Sequence, residues 1–322
     1  MKSSRLGLLI VAALLAPATA GAQAYPAKPI HVVFPYPGGS PIDVLARMIA
    51  ERTAKIVGQP LVHENRPGAN GIVGTTAVAK AAPDGYTIHA TTTSAFLLNS
   101  YLRKDLPYDP VKSFAPITAA IDIPVNLMVG AQLPVKSTRE FVEYLKKNPG
   151  KINYASVGNG SFNHLLMEQF KAAAGVDMVH VPYQGAAPIV TELMAGRLDA
   201  TVLSVGSVLA QWRAGQVKVL ASMTPKRTVA QPDVPAITEE FPNLRPFGNW
   251  MGFVAPAGTP EPIIRKLSEA MVSVLGQADV RDRIKEEQWS VIASTSEEFR
   301  VLIQRDLPII EAAFRSAGVK PE

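Results

Sequence analysis

Residues 30–43 read IHVVFPYPGGSPID, which predicts a strand, a glycine turn and a helix start in immediate succession. The run from Ile30 to Phe34 is short, apolar and rich in β-branched residues, as is typical of a strand. Ser40 offers a hydroxyl N-cap, Pro41 suits the first helical position, and Asp43 follows the cap by three residues. A strand that leads directly into a helix is the repeating unit of α/β proteins.

The same alternation of apolar runs and helical patterns continues along the chain. Five further strands are expected, at residues 87–90, 126–129, 152–155, 200–203 and 217–221. Helices are expected to begin after Ser40, Ser137 and Thr259, and a long amphipathic helix is expected over about residues 296–317. This order predicts an α/β fold whose parallel strands are joined by crossover helices.

The first 24 residues have the pattern of an export signal. Lys2 and Arg5 precede an apolar run that is too short to span a membrane, and small residues lead up to Ala24. We therefore expect a signal peptide at 1–24, cleavage near Ala24, and a periplasmic mature protein that begins at Tyr25.

The composition argues against several classes of function. The chain has no cysteine, so it forms no disulfide, thiolate metal site or cysteine nucleophile. Its formal net charge is +5, and the Lys and Arg residues are scattered without interleaved aromatics, which gives little support for nucleic-acid binding. The five histidines lack metal-ligand spacing, and phosphate-loop, zinc-protease and nucleophile-elbow motifs are missing from the sequence. We expect no metal, no cofactor, no catalytic residue and a monomer.

No repeat or low-complexity linker divides the chain, so any two lobes would be joined by structured crossings. The candidate crossings are the extended segments 117–129 and 246–255. They predict a first lobe of residues 25–122 plus 250–322 and a second lobe of residues 123–249. Two such crossings would form a hinge.

The loop after the first strand is one candidate ligand site. Gly38 and Gly39 allow close approach of the backbone, and the helix start at Ser40 favours an anion. Tyr36 precedes this glycine pair. A tight turn with an ordinary cap would explain the same residues, and Asp43 either completes the cap or selects an amine or hydroxyl group on the ligand.

A second strand-to-helix loop lies in NYASVGNGSFNHLLMEQF, residues 153–170. Asn163 stands where a dinucleotide-binding loop needs its third glycine, so we reject a nicotinamide or flavin site. What remains is a hydroxyl-rich helix start suited to a carboxylate, with a plain cap as the alternative. The candidate residues are Ser156, Gly158, Asn159, Gly160, Ser161 and His164.

Other candidates lie where strands end, because ligands of open α/β sheets bind there. Thr93 and Ser94 follow one strand, Ser204 follows another, and Tyr183 stands before a Gln184-Gly185 turn. We expect these four residues to line a cleft, although an aromatic residue at a turn, such as Tyr183, more often has a packing role.

Five blocks of the sequence together carry a family resemblance. They are KPIHVVFPYPGGSPIDVLAR, ENRPGANGIVGTTAVAKAAPDGYTI, LPYDPVKSFAPIT, INYASVGNGSFNHLLMEQFKAAAGVDMVHVPYQGAAP and FVAPAGTPEPIIRKL. In this order and spacing they resemble the tripartite tricarboxylate transporter receptors, which are Bug-type periplasmic binding proteins. The resemblance implies a type II periplasmic-binding fold, a carboxylate solute and a membrane permease as partner. It places the ligand loops at residues 37–43 and 156–161.

The sequence thus favours a receptor that closes on a small organic anion without turnover. One alternative is a ligand-dependent partner of a membrane sensor. Another is a hydrolase that uses Ser161, His164 and an acidic residue, which is disfavoured because a serine at an N-cap is normally engaged by the backbone.

Overall fold

The computed structural model describes residues 25–320, so the predicted signal peptide lies outside the described residues. The strands are β1 Ile30–Phe34, β2 Leu61–Asn65, β3 Thr87–Thr92, β4 Phe114–Asp122, β5 Val125–Gly130, β6 Asn153–Ser156, β7 Val179–Pro182, β8 Ala200–Ser204, β9 Val217–Ser222, β10 Trp250–Pro256 and β11 Ser290–Val291. The α-helices are α1 Pro41–Val57, α2 Ile72–Ala79, α3 Asn99–Leu102, α4 Thr138–Lys147, α5 Phe162–Ala174, α6 Ala186–Met194, α7 Leu209–Arg213, α8 Glu261–Leu275, α9 Ala278–Glu286 and α10 Ser296–Ser316.

The strands form two sheets. One has six strands in the order β11-β4-β10-β3-β1-β2, and the other has five in the order β7-β6-β8-β5-β9. Helices cover both sheets, so the predicted α/β fold with two lobes is confirmed. Within residues 25–320, no helix combines the length and the apolar character that a membrane span requires.

Parallel strands joined by crossover helices, as predicted, form part of each sheet, but both sheets also contain antiparallel strands. Strands β1, β2 and β3 are parallel, as are β6, β7 and β8, but β10 runs antiparallel to β3 and β5 runs antiparallel to β8. The reason lies in the connections between the sheets. Strands β5 and β10 each begin at the edge facing the other sheet, where β1, β3, β6 and β8 end, so they must run the opposite way.

The chain passes between the sheets at two adjacent places. Residues Ile123 and Pro124 link β4 to β5, and residues 247–249 lead into β10. The two crossings are bonded to each other, because Ile123 N donates to Asn249 O over 2.7 Å and Asn249 Nδ2 donates to Ile123 O over 3.0 Å. Rotation of one sheet against the other would therefore centre on these two crossing segments.

N-capping residues determine where three of the helices begin. Ser40 caps α1 by accepting a bond from Asp43 N, and Ser137 caps α4 in the same way through Glu140 N. The last helix, α10, begins with a capping box between Thr295 and Glu298. It packs against both β4 and α5, so one hydrophobic cluster extends through both lobes.

Candidate functional site

A cavity of about 470 Å³ lies between the facing edges of the two sheets. On the side of the first sheet it is lined by Tyr36, Ala69, Asn70, Ile72, Ser94, Leu98, Asn99, Leu102 and Arg103. On the side of the second sheet it is lined by Val157, Gly158, Asn159, Ser161, Phe162 and Asn163. The second group is the loop that joins β6 to α5, together with the first turn of that helix.

The N-terminus of α5 gives the cavity its donors. Ser161 Oγ accepts a hydrogen bond from His164 N over 3.3 Å, which leaves the hydroxyl hydrogen of Ser161 available to a ligand. Asn159 is exposed and adds a side-chain amide, and Gly158 lets the loop backbone reach the cavity. The 13-residue helix directs its positive dipole end to the same place. These groups suit a carboxylate.

Ser156, a predicted ligand residue, is fully buried and stabilises the loop from beneath. Its Oγ accepts a bond from Gly158 N over 3.2 Å, lies 2.9 Å from Gly158 O and 2.7 Å from His180 Nε2. If the hydroxyl donates to Gly158 O, then His180 Nε2–H must be the donor to Ser156. The hydroxyl is then fully engaged, and it fixes the bend that brings Gly158 to the cavity.

His164 also stabilises the loop between β6 and α5 from beneath. Gly160 N donates to His164 Nδ1 over 3.0 Å, and the imidazole stacks on His180 with ring centroids 4.0 Å apart. His164 is 6% exposed and is not among the residues that line the cavity. Burial lowers the pKa of His164, and burial together with the charge of His164 lowers that of His180 to about 4. Both rings are therefore neutral at pH 7.

Asp43 shapes the first loop through a buried carboxylate. It accepts bonds from Gly39 N over 2.9 Å, from Asn65 Nδ2 over 2.7 Å and from His63 Nε2 over 2.8 Å. Burial alone would raise its pKa, but these hydrogen bonds outweigh burial and lower the pKa to about 2. Asp43 stays ionised and is satisfied from within the lobe, so its contacts are those of a residue that holds the glycine turn.

The end of β3 contributes to the cavity and to the hinge. Ser94 lines the cavity, and the Tyr36 hydroxyl lies 3.0 Å from Thr92 Oγ1. Thr93 faces the other way: its hydroxyl donates to Gly248 O and accepts from Trp250 N, both over 2.9 Å. The end of β3 thus places the Ser94 side chain in the cavity and, through Thr93, hydrogen-bonds to the crossing that leads into β10.

Sequence reasoning missed the turn at residues 68–71. All four residues have positive φ: Gly68 136°, Ala69 46°, Asn70 51° and Gly71 87°. Asn70 Nδ2 donates to Asn99 Oδ1 over 3.0 Å, and Asn99 Nδ2 donates back to Asn70 O over 3.1 Å. A left-handed Ala is costly, and such strain tends to collect at functional sites. The glycines in RPGANG were the available signal.

The predicted site residues divide into two groups. Those that line the cavity are Tyr36, Ser94, Gly158, Asn159 and Ser161. Those placed elsewhere are Gly38, Gly39, Ser40, Asp43, Thr93, Ser156, Gly160, His164, Tyr183 and Ser204. Gly160 packs against Leu102 and Phe314 of the first lobe, Tyr183 packs on the core of the second lobe, and the Ser204 hydroxyl is buried without a partner within residues 25–320.

The charge of the lining also favours an anion. Arg103 is the one charged side chain among the described lining residues, and no carboxylate lines the cavity in this part of the chain. Arg103 Nε lies 3.6 Å from the exposed Asp105 carboxylate, which is too far for a hydrogen bond. The guanidinium is therefore only loosely paired.

Comparisons with known proteins identify the family. The model of the tripartite tricarboxylate transporter family receptor matches residues 45–315. The chain belongs to this family. Among curated relatives, a UPF0065 protein of Bordetella pertussis is 36% identical over 262 residues, which cover 81% of this chain and 80% of that protein. The predicted membership is confirmed.

Two solved structures of proteins from Rhodopseudomonas palustris have the same fold. Rpa4515 with adipate is 29% identical, has a TM-score of 0.78, and the match covers 92% of this chain and 100% of that one. MatC with bound malate is 32% identical, has a TM-score of 0.73, and the match covers 90% of this chain and 99% of that one.

The geometry does not support the alternative catalytic site. Ser161 Oγ is bonded to the backbone of His164, and the His164 ring nitrogen Nδ1 is occupied by Gly160 N. The closest approach of a serine to a histidine ring is Ser156 with His180 among the described residues, and Ser156 has no exposed surface. A nucleophile must be reachable by its substrate, so this pair is structural.

Proposed function

We propose that this protein is a periplasmic receptor that captures a small carboxylate in the cavity between its lobes. The observation that carries the proposal is the cavity itself: it combines a helix N-terminus, neutral hydroxyl and amide donors, and one loosely paired cation, Arg103. Charge-assisted hydrogen bonds are worth about 1.5–3 kcal/mol each, so a few of them give micromolar affinity after the costs of ordering.

The receptors with adipate and malate support a carboxylate as the solute. Adipate and malate are both dicarboxylates, and both proteins align with this chain over more than nine-tenths of their length. In this chain a carboxylate group would lie at Gly158, Asn159 and Ser161, where the α5 dipole favours negative charge. The apolar side chains of Ile72 and Leu98 would contact the carbon chain of the solute.

Capture proceeds by closure of the lobes. We assign residues 25–122 plus 250–322 to the first lobe and residues 123–249 to the second, with the two bonded crossings as the hinge. Closure brings the loop after β6 towards the turn at residues 68–71 and buries the solute among donors from both lobes. The closed surface is what a membrane permease of the tripartite type would recognise. No step in this cycle changes a covalent bond of the solute.

The experiment is a thermal-shift and calorimetric titration of the purified protein with adipate and malate, each beside its uncharged diamide. A bound carboxylate at one thousand times its Kd stabilises the folded state by about 4 kcal/mol. We expect stabilisation by an acid and none by its diamide, and the acid recovered unchanged afterwards.

Matched variants locate the binding. Asn159→Ala removes a donor from the cavity and should weaken the bound acid about tenfold. Asn243→Ala makes the same change at an exposed position outside the cavity and should leave the affinity unchanged. If a panel of small mono-, di- and tricarboxylates gives no stabilisation even after refolding to remove carried-over ligand, the proposed function is wrong.

A further inference from the structure

The first lobe touches the second at Gly160, in the loop of residues 157–161 between β6 and α5. Gly160 is buried and has a left-handed φ of 68°. A Cβ added to it would overlap Leu102 Cδ2, at the end of α3. The same Cβ would lie 3.4 Å from Phe314 Cε1 on α10 and 3.5 Å from Val319 Cγ1 just after α10. Three apolar side chains of the first lobe therefore close on the backbone of a loop in the second lobe.

The sequence FRSAGV, residues 314–319, explains why Val319 reaches this place. Gly318 has a left-handed φ of 64°, and its N–H donates to Arg315 O over 3.2 Å. Val319 N donates to Phe314 O over 3.3 Å. These two bonds form a Schellman motif, in which a glycine ends the helix and the next apolar residue folds back on the last turn. The motif places Val319 beside Phe314, where both face the loop.

Each half of this contact is attached to its own lobe. Tyr101 stacks on Phe314 with ring centroids 5.6 Å apart, and its hydroxyl donates to Leu307 O over 2.8 Å. These interactions fix α3 to α10, so the three apolar side chains move with the first sheet. On the opposite side, Gly160 N donates to His164 Nδ1 over 3.0 Å, which fixes the loop to α5.

Rotation of the lobes about the crossings joins or separates the two halves. Leu102 also lines the cavity between the sheets, opposite the loop that carries Gly160, so opening the cavity draws these two residues apart. The contact is apolar, so joining its halves removes apolar surface from water and stabilises the closed arrangement. It requires no polar group of the solute, and therefore acts whether or not a solute is bound.

We propose that Leu102, Phe314 and Val319 form an apolar latch that closes on Gly160, favours the closed arrangement of the lobes and thereby sets how tightly the cavity holds its solute. The inference rests on the proposed receptor function and adds the residues that regulate closure. The apparent affinity for the solute rises with the fraction of molecules already closed. Glycine is required at position 160 because a side chain there would hold the halves apart.

The test measures the distance between the lobes in the absence of solute. The chain has no cysteine, so Asp282→Cys on α9 and Lys146→Cys on α4 provide one exposed spin-label site on each lobe. Double electron–electron resonance on protein refolded to remove carried-over ligand gives the distribution of distances between the labels. We expect Gly160→Ala to shift this distribution to longer distances. Gly175→Ala, at a similar φ of 62° with open space at the end of α5, should leave it unchanged.

A second pair of variants weakens the latch without straining the backbone. Val319→Ser should also shift the distribution to longer distances, whereas Val301→Ser, the same change at an exposed position on α10, should not. Val319→Ser should raise the Kd of the carboxylate identified by calorimetry by the factor by which the closed fraction falls.

Unchanged distances in both Gly160→Ala and Val319→Ser, or equal shifts in their controls, would overturn the latch whatever the solute proves to be. Distances that shift as expected in a protein that binds no carboxylate would instead contradict the receptor function and support the latch.

Discussion

At the scale of single residues, the turn at 68–71 depends on the absence of a side chain at its last position. Gly71 has φ of 87°, and an added Cβ would lie 2.7 Å from Ala95 Cβ and 3.0 Å from Pro35 Cβ. Gly58, the C-cap of α1, has a similar φ of 81° but open space around the same position. The two glycines share a backbone conformation and differ in their surroundings.

This contrast predicts unequal costs of the same substitution. Gly58→Ala should lower the free energy of unfolding by about 1–2 kcal/mol, the cost of a left-handed Ala. Gly71→Ala should lower it by a further 1–3 kcal/mol or so, because the new methyl group overlaps neighbouring atoms. Urea denaturation of both variants measures the difference, and equal losses would show that the turn relaxes without penalty.

The lowered pKa of Asp43 predicts that the free energy of unfolding depends on pH in the acid range. Its folded pKa of about 2 is below its usual value of 3.8, so its contribution is complete above pH 3.8 and is lost as the pH falls towards 2. Asp43→Asn should lower the free energy of unfolding by about 2 kcal/mol at pH 7, since one donor among Gly39 N, Asn65 and His63 loses its acceptor. The variant should also lose less stability than the wild type between pH 4 and pH 2. Asp282→Asn, at an exposed carboxylate, is the control.

At the scale of elements, the loop between β6 and α5 depends on two neutral imidazoles. His180 has a folded pKa of about 4 against an ordinary value of 6.5. The unfolded chain therefore takes up a proton as the pH falls below 6.5, whereas the folded protein does so only near pH 4. The free energy of unfolding should decrease across this interval.

His180→Gln isolates that contribution, because glutamine does not titrate and keeps an N–H donor for Ser156 Oγ. We expect this variant to lose less stability than the wild type between pH 6.5 and pH 4, as measured by urea denaturation at several pH values. His31→Gln, at an exposed histidine, is the matched control. A wild-type slope retained in His180→Gln would mean that the titration responsible lies elsewhere.

The elements also show which features the sequence could predict. The starts of α1 and α4 were predictable because a cap involves residues three apart, such as Ser137 and Glu140. The contact between Asn70 and Asn99 was not, because it joins segments 29 residues apart that meet only once β1 and β3 have paired. Ser156 is of a residue type that often binds ligands. Only the folded structure shows that its hydroxyl is already hydrogen-bonded to His180. The loops could be predicted, but the orientation of their side chains depends on the assembled sheets.

At the scale of the whole molecule, the two crossings determine how the lobes can move. Ile123 and Asn249 are bonded in both directions, and Thr93 holds the returning strand at Gly248 and Trp250. These bonds keep the crossings side by side and leave rotation about them as the simplest relative motion of the sheets.

A solute held by both lobes should therefore make the molecule more compact. We expect the radius of gyration, measured by small-angle X-ray scattering, to decrease when the carboxylate identified by calorimetry is added at saturation, because its two ends contact donors on different sheets. The uncharged diamide at the same concentration should leave the scattering unchanged, and so should the acid added to Asn159→Ala below the Kd of that variant. Binding without contraction would mean that one lobe alone supplies the contacts, and the loop after β6, with the α5 dipole behind it, would then be sufficient for capture.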